Sequence, residues 1–291
     1  MFDLRYHVAS LAAVFLALII GILVGVGISD RGLVDRTNNK LLRDRVASLQ
    51  QELSDNVKQA TNRTRAQDAA QAFVNETYPT LVRNRLKNKQ IAVVFVGSVN
   101  GGLRSAVGQT LTDSGAQQLR LRALKVPLDV QQLEAALKNQ PAAAGLRGKA
   151  NLEALGRELG QELATGGDTP LWGSLTDALV EERAGGNKAP ADGVVVVRTA
   201  TPQRGATTRF LLGLYEGLAS ANVPAVGVEQ TDAATSATNV YRQSGLSSVD
   251  DIDTKVGRLA LVWLLKGASP GQYGVKKSAG DGQLPPMPTG G

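Results

Sequence analysis

Side chains able to do acid-base or metal chemistry are scarce in this sequence. Among 291 residues there is no cysteine, the one histidine is His7, and the methionines are Met1 and Met287. Cys nucleophiles, thiolate metal sites and disulfide frameworks are thereby excluded. Without an imidazole beyond His7, Ser-His-Asp and Cys-His arrangements are excluded from the rest of the chain. Only carboxylate pairs or Ser-Lys arrangements remain, and spacing alone does not position them. Three stretches hold what chemistry there is. "DDID", with Asp250, Asp251 and Asp253, offers the oxygen ligands that Mg²⁺ or Ca²⁺ take. Its spacing fits a helix start better: Ser248 and Asp251 stand as in a capping box, and acids in a first turn complement the helix dipole. "VGSVNGG" carries Gly97, Gly101 and Gly102, which could admit an anion to a helix start. It matches neither GxGxxG nor GxxxxGK[ST], and a plain strand-to-helix turn uses glycine for backbone reasons. "RTATPQRGATTR", from Arg198 to Arg209, groups arginines and hydroxyls that suit an anionic group or a solvated loop. The expectation is a non-enzyme with no resident cofactor or metal.

The elements that must position these stretches read as an α/β domain. "QIAVVFVG" and "GVVVVRT" are short, continuously apolar and β-branched, as strands covered on both faces are. "QQLRLRALKV" and "PAVGVEQ" read as further strands. Helical patterns fall at "LRSAVGQTLTDSG", Asp129 to Lys138 with an Asp cap, Asn151 to Ala164, Leu171 to Glu182 and Thr207 to Ala221. A last helix starts within "SSVDDIDTKVGRLALVWLLKG". Alternating strands and helices predict a doubly wound, Rossmann-like parallel sheet. The formal charge is +6, yet aromatics are only 4%, and no basic run is interleaved with rings, so nucleic acid is not an expected partner.

Ahead of this domain, Val8 to Ile28 contains no charged residue, and at about 1.5 Å per residue such a helix spans the ~30 Å core of a bilayer. The run is longer than a secretory signal's apolar region, and "GVGISD" is a poor cleavage match, so an uncleaved membrane anchor is expected. Arg5 on one side competes with Arg31, Arg36, Lys40, Arg43 and Arg45 on the other, and charge alone leaves the orientation open. Ala9, Ala13, Ala17, Gly21, Gly25 and Ser29 recur every fourth residue. In lipid, helices associate where such small residues let backbones approach, so this stripe predicts a face for a second copy. Leu42, Val46, Leu49 and Leu53 then follow coiled-coil spacing. Asn56 takes the next seam position, where a buried Asn fixes register, and Arg63 and Gln67 mark the seam's decay. The helix is expected to stop near Pro79. The predicted organisation is a tail over 1–7, a transmembrane helix over 8–28, a coiled-coil stalk over 33–78, an α/β domain over 80–268, and a flexible Gly/Pro-rich tail over 269–291.

The opening "MFDLRYHVASLAAVFLALIIGILVG", with its Asp3, Arg5, Tyr6 and His7 block, closely resembles the start of the MctB family of actinobacterial copper-transport outer membrane proteins. "QIAVVFVG", "SSVDDIDTKVGRLALVWLLKG", "GQYGVKK" and "LPP" resemble the same family, which includes SteB-like envelope proteins of corynebacteria. The resemblance implies a membrane location, an extracytoplasmic α/β domain on an N-terminal helix, and a role in copper homeostasis or, for the SteB-like members, cell separation through a partner. The residues set a second reading beside the copper one. Copper(I) normally passes between Cys, Met and His, of which this chain has few, and the stripe and seam suit a membrane-tethered homodimeric scaffold for an envelope or cell-division partner.

Overall fold

A computed structural model of the chain describes residues 4–28, 31–138 and 140–287, with side chains over 8–26, 39–138 and 140–287. The chain divides into two units, Met1–Ala70 and Gln71–Gly291. The first unit is helical. Helix α1 (Leu4–Ile28) contains the apolar span Val8–Val26, 19 residues that are long and apolar enough to cross a bilayer, and none of the span is buried. Helix α2 (Arg31–Val82) follows. It does not stop at Pro79 as expected. The ring removes one helical N–H, but Tyr78 and Val82, on either side of it, are buried in the core of the second unit, and Lys255 Nζ stacks 4.4 Å from the Tyr78 ring centroid. Tertiary burial carries the helix past the proline.

The second unit alternates strand and helix. In chain order these are β1 (Gln90–Val96), α3 (Gly101–Asp113), β2 (Gln117–Leu124), α4 (Val130–Leu137), α5 (Leu152–Thr165), α6 (Pro170–Leu179) and β3 (Val180–Ala184). There follow β4 (Gly193–Arg198), α7 (Ala206–Ala219), β5 (Ala225–Val228), α8 (Thr238–Gln243), β6 (Ser247–Val249), α9 (Lys255–Leu265) and β7 (Gln272–Tyr273). They build a mixed α/β structure around a seven-stranded sheet in the order β3-β2-β1-β4-β5-β6-β7, parallel except for the β2–β3 pair. Val94, Val96, Val194 and Val196 face α5, α6 and α7 through Leu155, Trp172 and Phe210. Ile91, Val93, Phe95, Val195 and Val197 face α3 and α9 through Val107, Leu111 and Leu261. Both faces of β1 and β4 are therefore covered, which is why Ile91 to Val96 and Gly193 to Val197 are apolar without a break, the polar Gln90 and Arg198 standing at the half-buried strand ends.

Helices α5 and α7 meet along facing glycines. A Cβ on Gly213 would stand 2.7 Å from the Glu153 carbonyl carbon, and one on Gly156 would stand 2.7 Å from the Leu214 nitrogen. Gly160 and Gly217 repeat the arrangement one turn on, with 2.9 Å to Leu218 N and to Arg157 C. The two backbones touch because no side chain intervenes.

Three sequence expectations are corrected here. The helix expected over Leu171 to Glu182 ends at Leu179, and Val180 turns to extended backbone (φ −116, ψ 129) to pair with Leu124. Pairing with β2 overrides the helical propensity of "VEER", and its charges suit an edge strand. Ser248 does not cap a helix. It lies in β6, where its Oγ donates to Gln272 Oε1 at 2.5 Å, and α9 begins later with Thr254 Oγ1 accepting from Gly257 N. The stretch expected as a flexible tail supplies β7, which pairs with β6, and places Leu284 against the core.

Candidate functional site at the carboxyl ends of the central strands

From β1 the chain steps outward to β2, while β4 and β5 lie on the other side. The strand order thus reverses between β1 and β4, and a crevice opens beyond their carboxyl ends, where open α/β sheets take ligands. The two loops that leave these strands are the "VGSVNGG" and "RTATPQ" stretches. They are tied together: Thr199 N and Ala200 N donate to Val96 O at 3.1 and 2.9 Å, and Thr199 Oγ1 donates to Ser98 O at 2.8 Å. Gly97 sits at φ +102, and a Cβ there would stand 2.9 Å from the Ala200 Cβ, so only glycine lets the loops close on each other. Asn100 Oδ1 caps α3 by accepting from Leu103 N at 3.0 Å.

Beneath these loops lie two compartments that share Arg198, Thr201 and Pro202. One, of ≈ 210 Å³, reaches toward Asn100 and Gln230. The other, of ≈ 80 Å³, reaches toward Thr208, Leu211 and Tyr215. Arg198 Nη2 donates to Thr235 O and lies 3.5 Å from Glu229 Oε2. Glu229, at the end of β5, is almost fully buried and held by Lys276 Nζ at 2.9 Å and by the Ala237 N–H at 2.8 Å. Lys276 also donates to Gln230 O at 2.7 Å. Tyr215 and Tyr241 pack edge to face with ring centroids 5.2 Å apart, and burial pushes both phenols up, so they stay protonated.

The acids of "DDID" do not converge. Asp250 accepts from Val275 N at 2.8 Å and Lys276 N at 3.2 Å, close against Gly274, whose φ of +138 leaves no room for a side chain. Asp251 accepts from Thr254 Oγ1 at 2.9 Å, and Asp253 from Thr231 N at 2.8 Å. Burial raises the Asp250 pKa against its backbone hydrogen bonds, and it pushes Asp251 up to about 6, with Asp250 and Asp253 adding to the shift. Three carboxylates with three separate partners make neither a cation cage nor a first helical turn. Among the described residues no group of three or more His, Cys, Asp or Glu could hold a metal ion. Reading along the sequence missed Glu229 and Lys276, whose partnership spans the end of β5 and the chain after β7. It also missed Arg120 and Arg122 of β2, both buried, which donate to backbone carbonyls such as Leu163 O at 2.9 Å and Ala184 O at 2.7 Å. The alternation in "LRLRAL" reads as outward arginines; α5 and the loop after β3 cover them instead.

The remaining candidate residues lie in the helical unit. Ala9, Ala13, Ala17, Gly21 and Gly25 are exposed along α1, and a Cβ on either glycine would meet nothing within 4 Å. Leu42, Val46, Leu49 and Leu53 of α2 are 63%, 52%, 49% and 65% exposed, and Asn56 is exposed beside them. Asp3 and Ser29 lie outside the described residues, as do the side chains of Arg5, Tyr6 and His7.

No curated protein sequence matches the chain. The sequence model of one family, described as "Copper transport outer membrane protein, MctB", matches residues 1–284. That match takes in the apolar helix, the long helix and the α/β unit, runs through the "GQYGVKK" stretch that carries Lys276, partner of the buried Glu229, and ends at Leu284. The chain belongs to the MctB family.

Proposed function

We propose that this protein acts in copper homeostasis at the cell envelope as a membrane-anchored, non-enzymatic scaffold whose α/β head is extracytoplasmic. The observation that carries the reading is the extent of the family match: residues 1–284 hold the bilayer-length helix and the head together. Copper is the cargo of the system in which the protein works rather than a bound group. Soft Cu(I) prefers thiolate, thioether and imidazole, and the described head offers Met287 alone among them. The open sheet, flanked by helices on both faces, does not supply the lipid-facing alternation of a membrane barrel.

The scaffold reading adds a second copy. The small-residue stripe of α1 presents backbone to a partner helix in lipid. The exposed Leu42, Val46, Leu49 and Leu53 of α2 continue it as a short parallel coil, with Asn56 setting register. The head is then a Rossmann-like module held at the membrane in pairs, available to an envelope or cell-division protein. Two measurements on cells test the two halves separately. Deletion should change cellular copper content, and the full chain should restore it; copper content that ignores deletion overturns the copper role. Gly21→Leu with Gly25→Leu should weaken cross-linking between copies in the membrane, and polar residues at Leu49 and Leu53 should weaken it further and release the partner. Undiminished cross-linking in both variants overturns the pairing surfaces.

A further inference from the structure

The smaller compartment under the Thr199–Gly205 loop has unfilled hydrogen-bond donors at one end and hydrocarbon along the rest. Arg198 closes the polar end. Its side chain is 13% exposed, Nη2 is engaged by Thr235 O, and among the described residues Nε and Nη1 make no hydrogen bond. Its one carboxylate neighbour is a distant 3.5 Å away and is already satisfied by Lys276 and the Ala237 N–H. Thr208, in the first turn of α7, lines the same compartment, and its Oγ1 is buried without a partner among the described residues. Tyr215 adds a phenol that burial keeps protonated. The remaining lining is mostly apolar, Val96, Pro202, Leu211, Ala237 and Val240, joined by Thr201 and Gln203. A volume of ≈ 80 Å³ is the space of roughly three waters at about 30 Å³ each, which suits a carboxyl group with a short alkyl chain. A planar acceptor with two oxygens matches a guanidinium edge, and apolar walls favour a short alkyl body over a fully hydrated ion.

We propose that this compartment is a binding site for a short-chain carboxylate, its head group on Arg198 and Thr208 and its alkyl body against Val96, Leu211 and Val240. The site lies wholly within the α/β unit and is independent of the anchor and of any pairing between copies. It gives the head a small-molecule input that family membership does not assign.

The test is calorimetric titration of the full chain in detergent micelles with sodium butyrate, sodium acetate and inorganic phosphate. Butyrate should bind saturably and about fifteenfold tighter than acetate, since each of its two further methylenes is worth roughly a fourfold gain when buried. Arg198→Gln should weaken butyrate binding about tenfold or more, by removing a charge-assisted contact. Thr208→Val, which keeps the side-chain shape, should weaken it several-fold. Arg209→Gln, an exposed arginine on the same helix, should leave it unchanged. If Arg198→Gln does not fold, as read by circular dichroism, the Thr208→Val comparison decides. Absence of saturable butyrate binding, phosphate bound as tightly as butyrate, or equal losses in Thr208→Val and Arg209→Gln would overturn the proposal.

Discussion

Replacing Gly213 with alanine tests the packing on which the whole head depends. In an isolated helix the change would be favourable by about 1 kcal/mol, because alanine restricts the unfolded chain and glycine does not. Here the added methyl would stand 2.7 Å from the Glu153 carbonyl carbon, and nearer still to its oxygen. The obstacle is backbone, which cannot rotate away as a side-chain end can, so α5 and α7 must move apart. That separation loosens Leu155, Leu159, Phe210 and Leu214, all buried between the helices and the sheet. Overpacking costs about 1–3 kcal/mol where side chains can adjust, and the upper end applies when backbone must shift. The net loss is then about 2 kcal/mol, or about 4–8 °C in melting temperature for a unit of this size. Gly173 of α6 supplies the contrast, since a Cβ there meets nothing within 4 Å. Gly173→Ala should leave stability unchanged or raise it by up to about 1 kcal/mol. Both variants can be melted as full chains in detergent, with Trp172 and Trp263 reporting from opposite faces of the sheet. Should Gly213→Ala melt with or above the parent, as Gly173→Ala does, the account of the α5–α7 contact is wrong.

Other perturbations probe the buried charges. Lys276→Met leaves Glu229 buried with its strongest partner gone, so it should destabilise by about 3–5 kcal/mol, and adding Glu229→Gln should recover part of the loss in urea titrations. Asp251 has a folded-state pKa of about 6, above the ordinary carboxylate value of 3.8, so the folded head binds the extra proton. Its contribution is fully present below about pH 4 and is lost as pH rises through about 6. Stability should therefore fall by about 1–3 kcal/mol across that window, and Asp251→Asn should flatten the profile; an unchanged profile would place the titration elsewhere.

Much of the fold is legible where one physical cause dominates. β1 and β4 announce themselves because both faces are covered, so no polar residue interrupts either run. The bilayer-length helix is legible from its unbroken apolar run alone. β3 is not, because "VEERA" has nothing strand-like until Arg122, Ala123 and Leu124 of β2 pair with it. "SSVDDID" misleads for a related reason. Its acids resemble a first helical turn, yet Asp250 is buried by N–H groups of Val275 and Lys276, far along the chain. The small-residue spacing noticed in α1 recurs in "GRELG" and "GLYEG", where it fastens two helices of the head. The two crevice loops were each visible as glycines, hydroxyls and arginines. Their meeting depends on β1 and β4 being neighbours, which sheet register decides and local pattern does not.

The proposed function requires a head held outside the cytoplasm by a retained N-terminal helix. A reporter enzyme active only outside the cytoplasm, fused to the C-terminus of the full chain, measures this directly. Activity in membrane fractions, with the chain at its uncleaved length, is the predicted result. An inactive fusion, with a cytoplasmic fluorescent reporter at the same position giving signal, would contradict the envelope scaffold and the copper role together.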